Sequence, residues 1–333
     1  MVKMKKILLI LCLLAILTAS VVLQAAPKMN VMIYSSMKDS QLSALKEGFS
    51  KKYPNIVFDF YTAGTGKVMT KISTEQQAGG ISADLIWVGE PTNYVEFKKQ
   101  GLLLPYASPE AKTIPAAMKD PDNCYCAARL VGLGIVYNTI NVKGNDIPKD
   151  WDDLLKPRFK GLLTMTDPIF SGTTLYTVAA LVQSEKYGWK YLERLKANGI
   201  KLVQGSSDAP NKVGAGEYDV CIGVDYIAKD LIRQGSPVGF VYPASGMSLV
   251  SSPIAIVKNT KNLEAAKILY DYILSLEGQQ ILVKANTTPI RFEIKVEDVN
   301  LETIIKNALP VNDERLVAEK DEMLKRFDEL MKK

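Results

Sequence analysis

The chain has 333 residues, with 41 lysines and arginines against 36 acids, a formal charge of +5 and no histidine. Such a length is long for one core and suits two domains. The mild charge lacks the concentrated basic face that nucleic acid requires, and without histidine a metal cluster loses its commonest ligand.

Residues 1–6 are basic, residues 7–22 are nearly all apolar, and Ala25-Ala26 precede Pro27. This three-part layout predicts a secretory signal peptide over residues 1–25, and so a periplasmic or otherwise extracytoplasmic chain. A membrane helix is the rival reading, since the apolar run is almost long enough to span. The small residues at its end favour cleavage. Cys12 follows Leu11 rather than a small residue, which argues against a lipid anchor. Cleavage removes Lys3, Lys5 and Lys6, lowering the charge from +5 to +2, and leaves Cys124, Cys126 and Cys221. An odd number of cysteines leaves at least one thiol free or paired between molecules, and the spacing does not select a pairing.

In chain order, "MNVMIYSS" (29–36) reads as a strand, followed by a helix with Leu42, Leu45 and Phe49 on one face. "NIVFDFY" (55–61) is the next strand, "TAGTG" a glycine-rich turn, and a helix carries Val68 and Ile72. "ADLIWVG" (83–89) reads as a buried strand, and Pro91 opens another helix. This βαβαβα order predicts a parallel sheet wound with helices.

A second such passage follows "LVGLGIVYNT" (130–139). It contains a short helix over 151–155, a strand "GLLTMT" (161–166), and helices from about Thr174 through Val182 and over 187–197. A strand "YDVCIGVD" (218–225), a helix over 226–234 and a strand "PVGFVYP" (237–243) complete it. "SSPIAIVKNT" (251–260) is extended again, and helices are expected over 263–276, 278–283 and 314–332. The fold class expected is α/β: two doubly wound lobes joined by extended hinge crossovers around a cleft. The expected division is residues 26–132 with 255–310 for one lobe, 133–254 for the other, and 311–333 for a C-terminal amphipathic helix.

"IYSS", "AGTG", "ADLIW", "LGIVYNT", "DPIFSGTTLY", "GEYDVCIGVDY", "PVGFVYP" and "KNLEAAKILYDYILSLEGQQIL" occur in this order over nearly the whole chain. The ordered set resembles the extracytoplasmic solute-binding proteins of ABC importers, in the two-crossover class that binds ferric iron, phosphonates and sugar phosphates. The resemblance implies two lobes that close on a small solute and dock on a membrane permease. It also implies a monomer without a cofactor and without enzymatic activity.

Ligands of open α/β sheets sit beyond the carboxyl ends of the strands. Ser35 and Ser36 end the first strand, Thr65 and Gly66 follow the second, and Ser171, Gly172 and Thr173 follow a strand of the second lobe. Ser171 or Thr173 is a natural helix N-cap, while bare first-turn amides beside hydroxyls make an anion seat. In the resembled family the Ser-Gly-Thr position lines the anion-binding cleft. "AGTGK" is not a P-loop, because Tyr61 and Val68 stand where that motif needs Gly and Ser or Thr; Lys67 is a candidate helper charge.

Asp225 and Tyr226 end a later strand. Ferric-binding members carry an adjacent tyrosine pair at this segment. Asp225 in place of one tyrosine, with no histidine available, makes a small anionic solute of the phosphonate or sugar-phosphate type the expected ligand. Ferric iron held by Tyr226 and Asp225 is the alternative. Asp225 is also a candidate cap for the following helix. Trp87, Tyr137 and Tyr242 are candidate wall residues or plain core. An exported hydrolase on this scaffold is disfavoured, since no base stands near the hydroxyls.

Overall fold

The computed structural model describes residues 28–296 and 300–332, so the expected signal segment 1–25 lies outside the described residues. The first lobe is built on strands β1 (Met29–Ser35), β2 (Ile56–Thr62) and β3 (Leu85–Trp87). Between and after them run helices α1 (Asp39–Lys52), α2 (Thr65–Gln77) and α3 (Thr92–Lys99). β1 pairs in parallel with both β2 and β3, as the βαβ order requires. Leu85 and Trp87 enter one apolar cluster with Leu42, Leu45 and Phe49 of α1, while Ile86 and Val88 enter another with Val68 and Ile72 of α2. A strand covered on both faces is apolar throughout, which explains the unbroken "LIWV".

The second lobe contains β5 (Leu163–Thr166), α4 (Gly172–Gln183), α5 (Gly188–Ala197), β6 (Lys201–Val203), α6 (Asp208–Gly214), β7 (Val220–Val224), α7 (Asp225–Arg233) and β8 (Val238–Val241). β5 pairs in parallel with β6 and β7. β6 and α6 are short elements that the sequence pattern does not announce: three residues are too few to establish a period.

Two long antiparallel strands join the lobes. β4 (Cys126–Asn138) and β9 (Ser248–Ile256) pair from Cys126↔Ile254 to Leu133↔Ser248. One end of β9 then pairs with β3, and the opposite end of β4 with β7 and β8. The resulting order is β2-β1-β3-β9-β4-β7-β5-β6. β4 begins four residues before the expected strand start at 130.

The chain ends in α8 (Leu263–Leu274) and α9 (Leu276–Lys284), which join the first lobe's core, then α10 (Leu301–Lys306) and α11 (Asp313–Lys332). α11 buries Leu316, Met323, Phe327 and Met331 in the core of the second lobe. Its outer side reaches the first lobe, where Lys320 pairs with buried Glu90 and donates to Asn93 at 3.2 Å. Cys124, Cys126 and Cys221 are all buried and unpaired. Burial pushes the thiols up, Cys126 to about 12, which keeps them protonated and unreactive.

Candidate functional site

A cavity of about 720 Å³ lies between the lobes. α2 and α4 both begin at its wall, from opposite lobes. α4 is capped by Ser171, whose Oγ accepts from the Thr174 amide at 3.3 Å. The same oxygen is 3.0 Å from Thr173 Oγ1 and accepts from Ser206 Oγ at 2.9 Å. Capping and lining the cavity are therefore one arrangement, since Ser171, Thr173 and Ser206 all face it. α2 starts after Gly64 with no side-chain cap, so its first amides, beside Thr65 and Lys67, are open to a ligand.

The approach of the two helix starts explains two glycines. A Cβ on Gly172 would come within 2.7 Å of Glu90 Cβ and 3.0 Å of Thr65 Oγ1. One on Gly66 would meet the Ile169 carbonyl at 2.7 Å. Both residues act by letting the lobes touch, and neither lines the cavity. Ser36 does, with its Oγ accepting from the Gly89 amide at 2.9 Å.

Ser35 and Asp225 are not in the wall. Ser35 is the last residue of β1, and Ser36 is the first of the bend that follows it. Ser35 is fully buried and donates to the Trp87 carbonyl at 2.7 Å. Asp225 is 2 % exposed, accepts from the Tyr226 amide at 2.7 Å and accepts from Thr288 Oγ1 at 3.4 Å. Burial raises its pKa above the ordinary aspartate range. Tyr226 does line the cavity. Trp87 is core, and Tyr137 and Tyr242 lie away from the cavity.

Sequence reasoning passed over Lys38, the loop 204–208 and Arg129, all of them wall residues. Lys38 pairs with Asp230 across the cleft at 2.8 Å. The loop's signal was Ser-Ser-Asp ahead of α6, a helix-start pattern. Arg129 comes from β4, where it is the one charged residue of a thirteen-residue strand that is otherwise apolar up to its last residue, Asn138. It is 1 % exposed. Its guanidinium donates to Gln41 Oε1 at 3.2 Å and lies 5.3 Å from the Tyr226 ring. Desolvation depresses its pKa.

With Lys38 already paired to Asp230, the wall carries Lys67 and Arg129 against one carboxylate, Asp208, which accepts from the Gly205 amide at 2.7 Å. Two positive helix ends, several hydroxyls and an excess of cations make an environment for an anion.

Fold and site together define a two-lobed, cleft-binding protein of the type II periplasmic binding class. Residues 81–325 match the bacterial extracellular solute-binding protein family, and the chain belongs to that family. An uncharacterized protein of Haemophilus influenzae is 27 % identical over 273 residues, 78 % of this chain and 77 % of that one. The phosphoglycerate transport regulatory protein PgtC of Salmonella typhimurium is 26 % identical over 217 residues; these are 63 % of this chain and 53 % of PgtC, about half its length. Among solved structures, AfuA of Actinobacillus pleuropneumoniae with fructose-6-phosphate bound aligns at TM-score 0.80 and 24 % identity, over 92 % of this chain and 99 % of that one. Iron-bound HitA of Pseudomonas aeruginosa aligns at 0.77 and 18 %, over 90 % and 99 %. The fold is therefore shared by proteins with organic-phosphate and with metal cargo.

Proposed function

We propose that this chain is the extracytoplasmic component of an ABC importer, capturing a small phosphorylated or phosphonate solute by hinge closure and presenting it to a membrane permease. The observation that carries the reading is the convergence of two helix starts, from opposite lobes, on one cavity with Thr65, Ser171, Thr173 and Lys67 around it. A ligand held by both lobes stabilises the closed state, because only contacts specific to that state shift the equilibrium. The phosphate-related names of PgtC and of the AfuA complex support the same cargo. The proposed lobes are 26–132 with 255–310, and 133–254, with the chain exported through its signal peptide and working as a monomer.

Tyr226 in the wall and the fold shared with HitA favour one second reading, ferric iron. The charges oppose it. A ferric ion at Tyr226 would stand beside the Arg129 guanidinium, while Asp225 is occupied by Tyr226 and Thr288. Calorimetric titration with glucose 6-phosphate and glycerol 3-phosphate, and separately with ferric citrate, tests the choice. Saturable binding of a phosphate ester by a colourless protein is expected. A coloured ferric complex lost in Tyr226→Phe would overturn the cargo and leave the transport role.

A further inference from the structure

Resting on that reading, we infer that the cavity holds a second anion seat, centred on Arg129, and that the cargo is a phosphorylated carboxylic acid rather than a phosphorylated polyol. Arg129 is a buried cation without a counter-ion. The arginine–carboxylate pairs among the described residues belong to Arg158, Arg291 and Arg315. Arg129 instead meets neutral partners: Gln41 Oε1 at 3.2 Å, Ser252 Oγ at 3.5 Å, and the faces of Tyr226 and Trp87 at 5.3 and 6.0 Å. Asp225 acts on it through space, with its own oxygens engaged elsewhere.

Taking a charge out of water is expensive unless an opposite charge arrives, and the cavity that Arg129 lines is where one can arrive. The guanidinium fork suits a carboxylate, which accepts two parallel hydrogen bonds. The two seats are separate clusters. Ser171 bonds to both Thr173 and Ser206, and Arg129 bonds to none of them. A phosphate monoester at the helix starts is already met by Lys67 and two positive helix ends, which leaves Arg129 for another charge. A polyol tail would want carboxylates to accept from its hydroxyls, and the wall offers only Asp208, already engaged by Gly205.

The test compares acids with their matched alcohols on the full chain by calorimetry. The pairs are 3-phosphoglycerate with glycerol 3-phosphate, and 6-phosphogluconate with glucitol 6-phosphate. The pairs differ in length, so they also span the separation of the seats. In at least one pair the acid should bind about 10- to 100-fold more tightly than the alcohol, the range of a charge-assisted hydrogen-bonded pair. Arg129→Gln should bring that ratio close to one, and Arg129→Lys should keep part of it. Equal binding of acid and alcohol in both pairs of the wild-type protein overturns the inference while leaving the phosphate reading intact. So does a ratio that survives in Arg129→Gln, where Arg129 would be serving the phosphate. Failure of all four compounds to bind overturns the phosphate reading itself.

Discussion

Two buried arginines show how a binding site differs from a structural joint. Arg291 lies beside α8, 8 % exposed, and its charge is answered by two carboxylates. It donates to Glu293 at 2.7 Å, to Glu110 at 2.9 Å and to the Leu274 carbonyl at 3.2 Å. Arg129, on the crossing strand β4, is more buried and has only neutral partners. Packing alone would select an apolar residue in that strand. On the proposed reading, the charge there is answered from outside the chain, by the ligand. The presence of a carboxylate partner is what separates the two regions, and burial alone does not.

The largest expected effects come from exchanging the two roles. Arg291→Gln removes hydrogen bonds to charged groups and should lower unfolding stability by about 1–3 kcal/mol, with ligand affinity little changed. Arg129→Gln should do the reverse. Affinity for a phosphorylated acid should fall by up to about a hundredfold, while the ligand-free protein should be no less stable in urea, since an uncompensated buried charge is gone. Two equally destabilised variants would erase the distinction.

Next in size is the other seat. Thr173→Val keeps the shape and removes a hydroxyl that does not cap α4, so affinity should fall by about tenfold without loss of stability. Ser171→Ala removes the cap as well, and should cost about 1 kcal/mol of stability besides the affinity. Calorimetry and urea titration on both variants separate the two contributions.

Much of this seat was legible in the chain, because capping chemistry is local. Ser171, Thr173 and Thr65 precede or begin helices at strand ends, and a helix start announces itself in a few residues. The choice between Ser35 and Ser36 was half legible. Their place at the end of a strand marks the rim, but the bend after Ser35 decides which of the two turns to the cleft. Asp225 was not legible. As the first residue of α7 it stands as near the rim as Tyr226, and only tertiary packing against Thr288 turns it inward. Arg129 had a signal that a search for hydroxyl and glycine loops ignores, a lone charge in a continuous apolar run.

A smaller effect should come from the outer clasp. Lys320→Met leaves the carboxylate of Glu90 buried between the lobes when they close and accessible to water when they part. That biases the protein toward opening, so apparent affinity should weaken by about three- to tenfold through the closed population alone. Small-angle scattering without ligand should show a larger radius than wild type. An unchanged radius together with unchanged affinity would remove the clasp from the account.

The smallest effect concerns Asp225, a buried acid whose oxygens are engaged by the Tyr226 amide and Thr288. Its folded pKa is raised by burial, so the folded state favours its proton. The stabilisation it gives is complete below the unfolded aspartate pKa and is lost as pH rises through the folded value. Relative to wild type, Asp225→Asn should therefore gain stability as pH rises, and urea titrations across a pH series would read that slope. A difference that is flat with pH would place the carboxylate in water.

On the proposed reading, the cleft of this solute-binding protein is built for an organic anion. Native mass spectrometry of the purified chain, with metal analysis of the same sample, decides between organic anion and iron. On that reading, a bound phosphorus-containing acid at one per chain and no stoichiometric iron are expected. One ferric ion per chain with no organic anion would contradict it.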